Sequence, residues 1–234
     1  RLMNPFLLMS FLYLVLAGLV ALDASLTSLN LLAWFNGLRW LRVHLITLGA
    51  FSEAIFGMLP LLLAIQTKRP RPATRWDIWL SLNAGLLILL IGIPLINQPL
   101  ILTGGALIFV AALLLIGQLL GLQPQRPQLK GSSSLKFYVV AVLYLLLGIF
   151  VGTGLWLGWT VPLHISVPIE VHIHANNWGF MSLVFAGLLV DLYPSITGRS
   201  LAWPKSVTPI FWMMTIGALG LVLGKPIGVI AAAT

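Results

Sequence analysis

The segment VHIHANNWGF, residues 171–180, sets His172 and His174, two of the chain's four histidines, one residue apart. Asn176, Asn177 and Trp178 follow, and then an apolar run, SLVFAGLLV. His44 stands at the head of another apolar run, and His164 lies in PLHISVPIE. Neutral imidazole is a common ligand of metal ions and of haem iron. The chemistry open to such a set is metal or haem ligation, used for electron transfer, for sensing a gas or redox partner, or for moving a metal.

Spacing restricts this chemistry. Residues two apart on an α-helix point about 200° away from each other. His172 and His174 therefore do not readily bind one iron, and each is expected to serve its own side of the helix.

The elements that carry these residues are membrane helices. The chain has 234 residues, of which 59% are hydrophobic and 8% charged, and its mean hydropathy is +1.04. A soluble domain carries about 25% charged residues. The fold class expected is an all-α, polytopic transmembrane bundle of about seven spans forming one domain over residues 1–234. The spans read at about 5–22, 41–66, 77–96, 100–122, 135–160, 170–193 and 206–224, with residues 226–234 as the start of a further helix. Pro60 is expected to kink the second span, and Pro194 to end the sixth. No charged n-region, short apolar core and small-residue cleavage site appear in order, so no signal peptide is expected.

Charge sets the orientation. Lys68, Arg69, Arg71, Arg75, Arg126, Lys130, Lys136, Arg199, Lys205 and Arg1 fall on one side of the spans, and Arg39, Arg42 and Lys225 on the other. Basic residues gather on the cytoplasmic side, so the N-terminus is cytoplasmic and the expected location is the cell's inner (plasma) membrane. All four histidines then lie at the extracytoplasmic side. The net charge of +8 reads as a topology signal, with lipid and not nucleic acid as the surroundings. The absence of cysteine excludes disulfides, thiolate metal sites, iron–sulfur clusters and covalent haem attachment.

A porphyrin between helices needs an axial nitrogen and small residues to flank the ring. The second span offers His44 with Gly49, Ala50, Ala54 and Gly57, and the sixth offers Gly179, Ala186 and Gly187 below the histidine pair. Histidines a few residues inside each helix match in depth to within roughly a turn.

A single His near the outer end of the second helix, with His-x-His at the outer start of a later one, resembles the catalytic subunit (subunit I) of the haem–copper oxidases. The segment VHIHANNWGFMSLVFAGLLVDLYP is also similar to NnrS-type membrane haem proteins. The resemblance implies that His44 and His174 are the axial pair of a b-type haem and that His172 ligates a second metal or haem. It implies a place in electron transport, with partners among the subunits of a respiratory complex or an extracytoplasmic electron carrier. It does not extend to a copper site. No His-His pair exists here, so oxygen reduction is not expected.

Glu53 is the one carboxylate well inside a span, nine residues below His44. At helical spacing it can share a broad face with that histidine, as a proton carrier, a cofactor contact or a hydrogen-bonded acid. Asn176 and Asn177 can orient an imidazole or satisfy backbone at the helix start. Trp178 is a ring-stacking wall or part of an interfacial aromatic belt. His164 either lids the site with its proline-flanked loop, as a further metal ligand, or is solvated. Glu170 reads as an electrostatic cap, and Asp191 and Tyr193 as helix-boundary residues. Two other functions fit the same features: a seven-helix transporter or metal-binding protein, with no inverted repeat visible, and a cofactor-free structural subunit of a membrane complex.

Overall fold

The computed structural model describes residues 4–25, 38–122 and 134–233. Arg1, Arg126 and Lys130, which enter the orientation argument, lie outside them. Among the described residues there are seven helices and no strand. They are α1 (Pro5–Ser25), α2 (three consecutive segments, Leu38–His44, Leu45–Phe51 and Ser52–Gln66), α3 (Trp76–Gly92), α4 (Gln98–Gly121), α5 (Leu135–Leu157), α6 (Pro168–His174, Ala175–Met181 and Ser182–Thr197) and α7 (Val207–Ala233). Six are long and apolar enough to cross a membrane, and α3 is a shorter apolar helix. The chain is a multi-pass helical membrane protein. Lipid offers no partner to backbone N–H and C=O groups, so continuous apolar runs close their hydrogen bonds within themselves.

Local residues set most boundaries. Asn4 Oδ1 accepts the Phe6 N–H at 3.1 Å, ahead of Pro5 in the first turn of α1. Asn97 Oδ1 accepts the Leu100 N–H at 3.0 Å and starts α4. Gly158 (φ 83°) and Gly198 (φ 65°) end α5 and α6 in the left-handed conformation that glycine adopts freely. The Arg75–Asp77 pair at the head of α3 (2.5 Å) is solvent-exposed and adds little stability. Its hydrogen bonds hold the Arg75 guanidinium above its ordinary pKa.

Three boundaries differ from expectation. α3 stops at Gly92, because the next residues turn and the Asn97 N–H returns to the Gly92 carbonyl at 2.9 Å. α6 continues through Pro194 to Thr197, and Pro60 also sits inside a helical segment. Proline costs one backbone bond, which a membrane helix tolerates when its neighbours restore it. Residues 226–233 prolong α7 and do not begin another helix.

Both histidine-bearing helices contain a π-helical middle, Leu45–Phe51 in α2 and Ala175–Met181 in α6. The Ser52 N–H reaches back to the Thr47 carbonyl, and the Ser182 N–H to the Asn177 carbonyl, each five residues away. That reach defines a π turn.

The chain forms two compact units, Arg1–Leu59 with Ala73–Ala111, and Pro60–Pro72 with Ala112–Thr234. In the first, Tyr13, Ala17 and Val20 of α1 pack with Leu41, Leu45 and Ala50 of α2 and Leu86 of α3. Gly85 and Gly104 bring α3 and α4 so close that a Cβ on either would meet the other's carbonyl oxygen at 2.8 Å. In the second unit, α5 packs on α6, and the Tyr144 hydroxyl donates to the Thr215 carbonyl of α7 at 2.8 Å.

The two units repeat one pattern. The spacing His-x4-Gly-x2-Ser-x4-Gly occurs at 44–57 and again at 174–187. Leu41 and Val171 are buried, Val43 and Ile173 exposed, His44 and His174 half-buried, and Leu45 and Ala175 buried. A Cβ on Gly49 would meet Tyr13 of α1, and one on Gly179 would meet Tyr144 of α5. Gly57 is likewise covered by Phe6, and Gly187 by Phe137 and Tyr138. Tyr13 and Tyr144 each send their hydroxyl to the third helix of their unit's trio, to Asn83 on α3 and to the Thr215 backbone on α7. The same spacing and the same kinds of contact thus recur in two sets of three helices, α1–α3 and α5–α7.

Candidate functional site

His44 and His174 hold equivalent places. Each is the last residue of the first α-helical segment of its helix, immediately before the π segment. The His44 ring stacks on Trp40 with centroids 4.4 Å apart, and its Nδ1 lies 2.8 Å from the Trp40 carbonyl oxygen. His174 Nδ1 lies 3.0 Å from the Leu221 carbonyl oxygen on α7. His172 Nδ1 lies 2.7 Å from the Gly148 carbonyl oxygen on α5. Its ring occupies the space above Gly152, where an added Cβ would stand 2.6 Å from Nδ1. His172 and His174 thus turn to different helices.

A carbonyl oxygen only accepts, so each of these three nitrogens carries the hydrogen. With these contacts, the neutral form of each imidazole carries its hydrogen on Nδ1 and its lone pair on Nε2. A backbone carbonyl on the far nitrogen is also the usual support of a metal-ligating histidine.

The neighbours divide sharply. Asn176 donates its amide to the His172 carbonyl at 2.8 Å and lies 3.4 Å from His172 Nδ1. Its side chain fills the space above Gly148. Asn177 is exposed, and its carbonyl accepts the Ser182 hydroxyl at 2.9 Å. Trp178 is 53% exposed, as a residue of an aromatic belt is. His164 is exposed in the turn between α5 and α6, at φ 56°. Glu170 lies in the first turn of α6. Among the described residues, no three His, Asp or Glu side chains come together as a metal-holding group.

No family model, curated protein or solved structure matches the chain.

Of the small residues expected to flank a flat cofactor, Gly49, Gly57, Gly179 and Gly187 pack against aromatic side chains of their own unit. Glu53 is not tied to His44 by α-helical spacing, because the backbone between them is π-helical. It is 1% exposed and turns to Asn83 of α3, whose amide donates to Glu53 Oε1 at 2.7 Å.

Further residues hold the site's side chains in place. Asp191 is not only a boundary residue, since it accepts the Tyr138 hydroxyl at 2.5 Å. Gly148, Gly152 and the Leu221 carbonyl position the histidines, and Asn83 and Tyr13 position Glu53. The signal available for the histidine helices is the doubled His-x4-Gly-x2-Ser-x4-Gly spacing.

Proposed function

We propose that the protein is an integral membrane haem protein in which His44 and His174 supply the two axial nitrogens of a b-type haem near the extracytoplasmic side. One observation carries this reading. The two imidazoles occupy equivalent positions in a repeated helical unit, and both set Nδ1 at hydrogen-bond distance from a backbone carbonyl, an arrangement that in the neutral form puts the lone pair on Nε2. Haem iron binds neutral imidazole through such a nitrogen.

The bound haem would supply one-electron chemistry, for electron transfer or for sensing a gas or redox partner. The chain's own residues fix tautomer and ring direction: the Trp40 carbonyl and ring for His44, and the Leu221 carbonyl for His174. His172, held in the same tautomer by Gly148, is the candidate ligand of a second metal or haem. The excess of basic residues on one side supports a cytoplasmic N-terminus in a plasma membrane. The partners in this reading are further subunits of a respiratory complex or an extracytoplasmic electron carrier.

An absorption spectrum of the protein purified from haem-sufficient cells tests the reading. The expected result is a Soret band with sharp α and β bands on reduction, lost in His44→Ala and in His174→Ala and kept in His172→Ala. Unchanged haem content in both of the first two variants overturns the assignment. Colourless protein that binds zinc or copper supports the metal-transport reading in its place.

A further inference from the structure

The first unit buries a polar chain that the haem reading leaves unused. Tyr13 on α1, Glu53 on α2 and Asn83 on α3 are 2%, 1% and 5% exposed. The Tyr13 hydroxyl and Asn83 Oδ1 are 2.8 Å apart, and Asn83 Nδ2 and Glu53 Oε1 are 2.7 Å apart. The amide's orientation is fixed, because Asn83 Nδ2 also donates to the Trp79 carbonyl at 2.9 Å. Two acceptors at one end require the nitrogen there and leave the oxygen to face Tyr13. Tyr13 must then donate to Asn83, and Asn83 to Glu53. Every hydrogen bond in the chain runs toward the carboxyl group.

The chain ends on an atom without a partner. Glu53 Oε2 is buried and finds no hydrogen-bond partner among the described residues. Among the described residues, Glu53 forms no salt bridge. Among the described residues, the titratable group set against it is Tyr13, from α1. From α3 it meets the neutral Asn83 amide. An ionised carboxylate in this setting is among the costliest groups a membrane protein can hold. A glutamine would accept the same bond from Asn83 without that cost. What the acid adds over the amide is an exchangeable proton at Oε2.

We propose that Glu53 is a membrane-embedded proton-binding site. It takes up a proton on Oε2 and releases it from there, while Tyr13 and Asn83 act as positioning residues that hold Oε1. The step is a simple protonation, carboxylate plus proton giving carboxylic acid, and needs no redox partner. It stands whether or not the protein binds haem, since it uses none of the histidines.

The test is labelling with dicyclohexylcarbodiimide, which enters apolar regions and reacts with protonated carboxyl groups. Full-length protein in phosphatidylcholine vesicles is labelled over a pH series, and peptides are read by mass spectrometry. The expected result is an adduct on Glu53 whose yield falls with rising pH, approaching roughly tenfold per pH unit above the midpoint. Glu53→Gln abolishes it. Tyr13→Phe and Asn83→Leu keep the adduct and move the pH midpoint. Absence of an adduct on Glu53, a yield indifferent to pH, or protection by sodium ions at fixed pH overturns the proposal. A midpoint unmoved in both positioning variants removes Tyr13 and Asn83 from it. The wild-type pH series needs no variant, so a misfolded Glu53→Gln protein does not spoil the test.

Discussion

Ser182 gives both its backbone N–H and its hydroxyl to one carbonyl, that of Asn177. Ser52 also gives its N–H and its hydroxyl to the Thr47 carbonyl, sharing the N–H with the Gly49 carbonyl. A π turn widens the backbone ring and holds its bonds less well than an α turn, and a second donor on the same oxygen offsets part of that. Ser52→Ala and Ser182→Ala should each lower stability by about 1 kcal/mol, the usual contribution of one hydrogen bond. Thermal unfolding of purified protein in detergent measures it, and no change in Tm in either variant would show that the hydroxyls are dispensable to the turn.

Tyr144 rests on the backbone of Gly179, and a Cβ there would stand 2.2 Å from Cγ of its ring. At Gly49 the matching distance to Tyr13 is 2.8 Å. Gly179→Ala should cost roughly 1–3 kcal/mol through overpacking, with Gly49→Ala the milder of the two. The order of the two losses, read from paired melting curves, tests the geometry directly.

Asn83 joins three helices through one amide. Replacing it with leucine strips Glu53 and Tyr13 of their partner and leaves both buried, a loss of roughly 2–5 kcal/mol when each orphaned group carries its own penalty. Tyr13→Phe alone should cost about 1 kcal/mol. Once leucine occupies position 83, the tyrosine hydroxyl has no partner to lose, so a double-mutant cycle should be non-additive. Additive losses would show that Tyr13 and Asn83 act separately.

The shared tautomer of His44, His172 and His174 can be checked without any cofactor. Nitrogen-15 spectra of histidine-labelled protein should place the proton on Nδ1 in all three, each assigned by its own His→Asn variant. Nε2 protonation at His44 or His174 would remove the support for iron ligation there. His164→Ala, in the exposed turn, should leave both the spectra of the others and any haem content unchanged.

Much of this architecture is legible from residue types. Seven apolar runs are visible because a membrane helix needs a continuous apolar stretch where a barrel strand would alternate, and Gly158 and Gly198 end helices where glycine is the natural terminator. The equal placement of His44 and His174 just inside their helices is also readable. The partners of their imidazoles are not. Leu221 lies 47 residues from His174 and contributes a carbonyl, an atom every residue possesses. Gly49 and Gly179 illustrate the opposite trap: small residues signal close approach without saying what approaches, and here it is a tyrosine ring. Asn83 gives no hint in its own helix, because its importance comes from Tyr13 and Glu53, which are remote in sequence.

The π segments have a consequence for phase. A turn closed five residues back holds one residue more than an α turn. One extra residue rotates everything below it by about 100° relative to everything above. In α2 and α6 the histidine stands above that offset, and the glycine and serine at its lower end mark where α geometry resumes. The direction of each imidazole, relative to the packed half of its helix, is therefore set by a surplus residue in the backbone. Side-chain substitution can weaken such a setting. Deleting one residue from 45–51 or 175–181 is the change that would reset it.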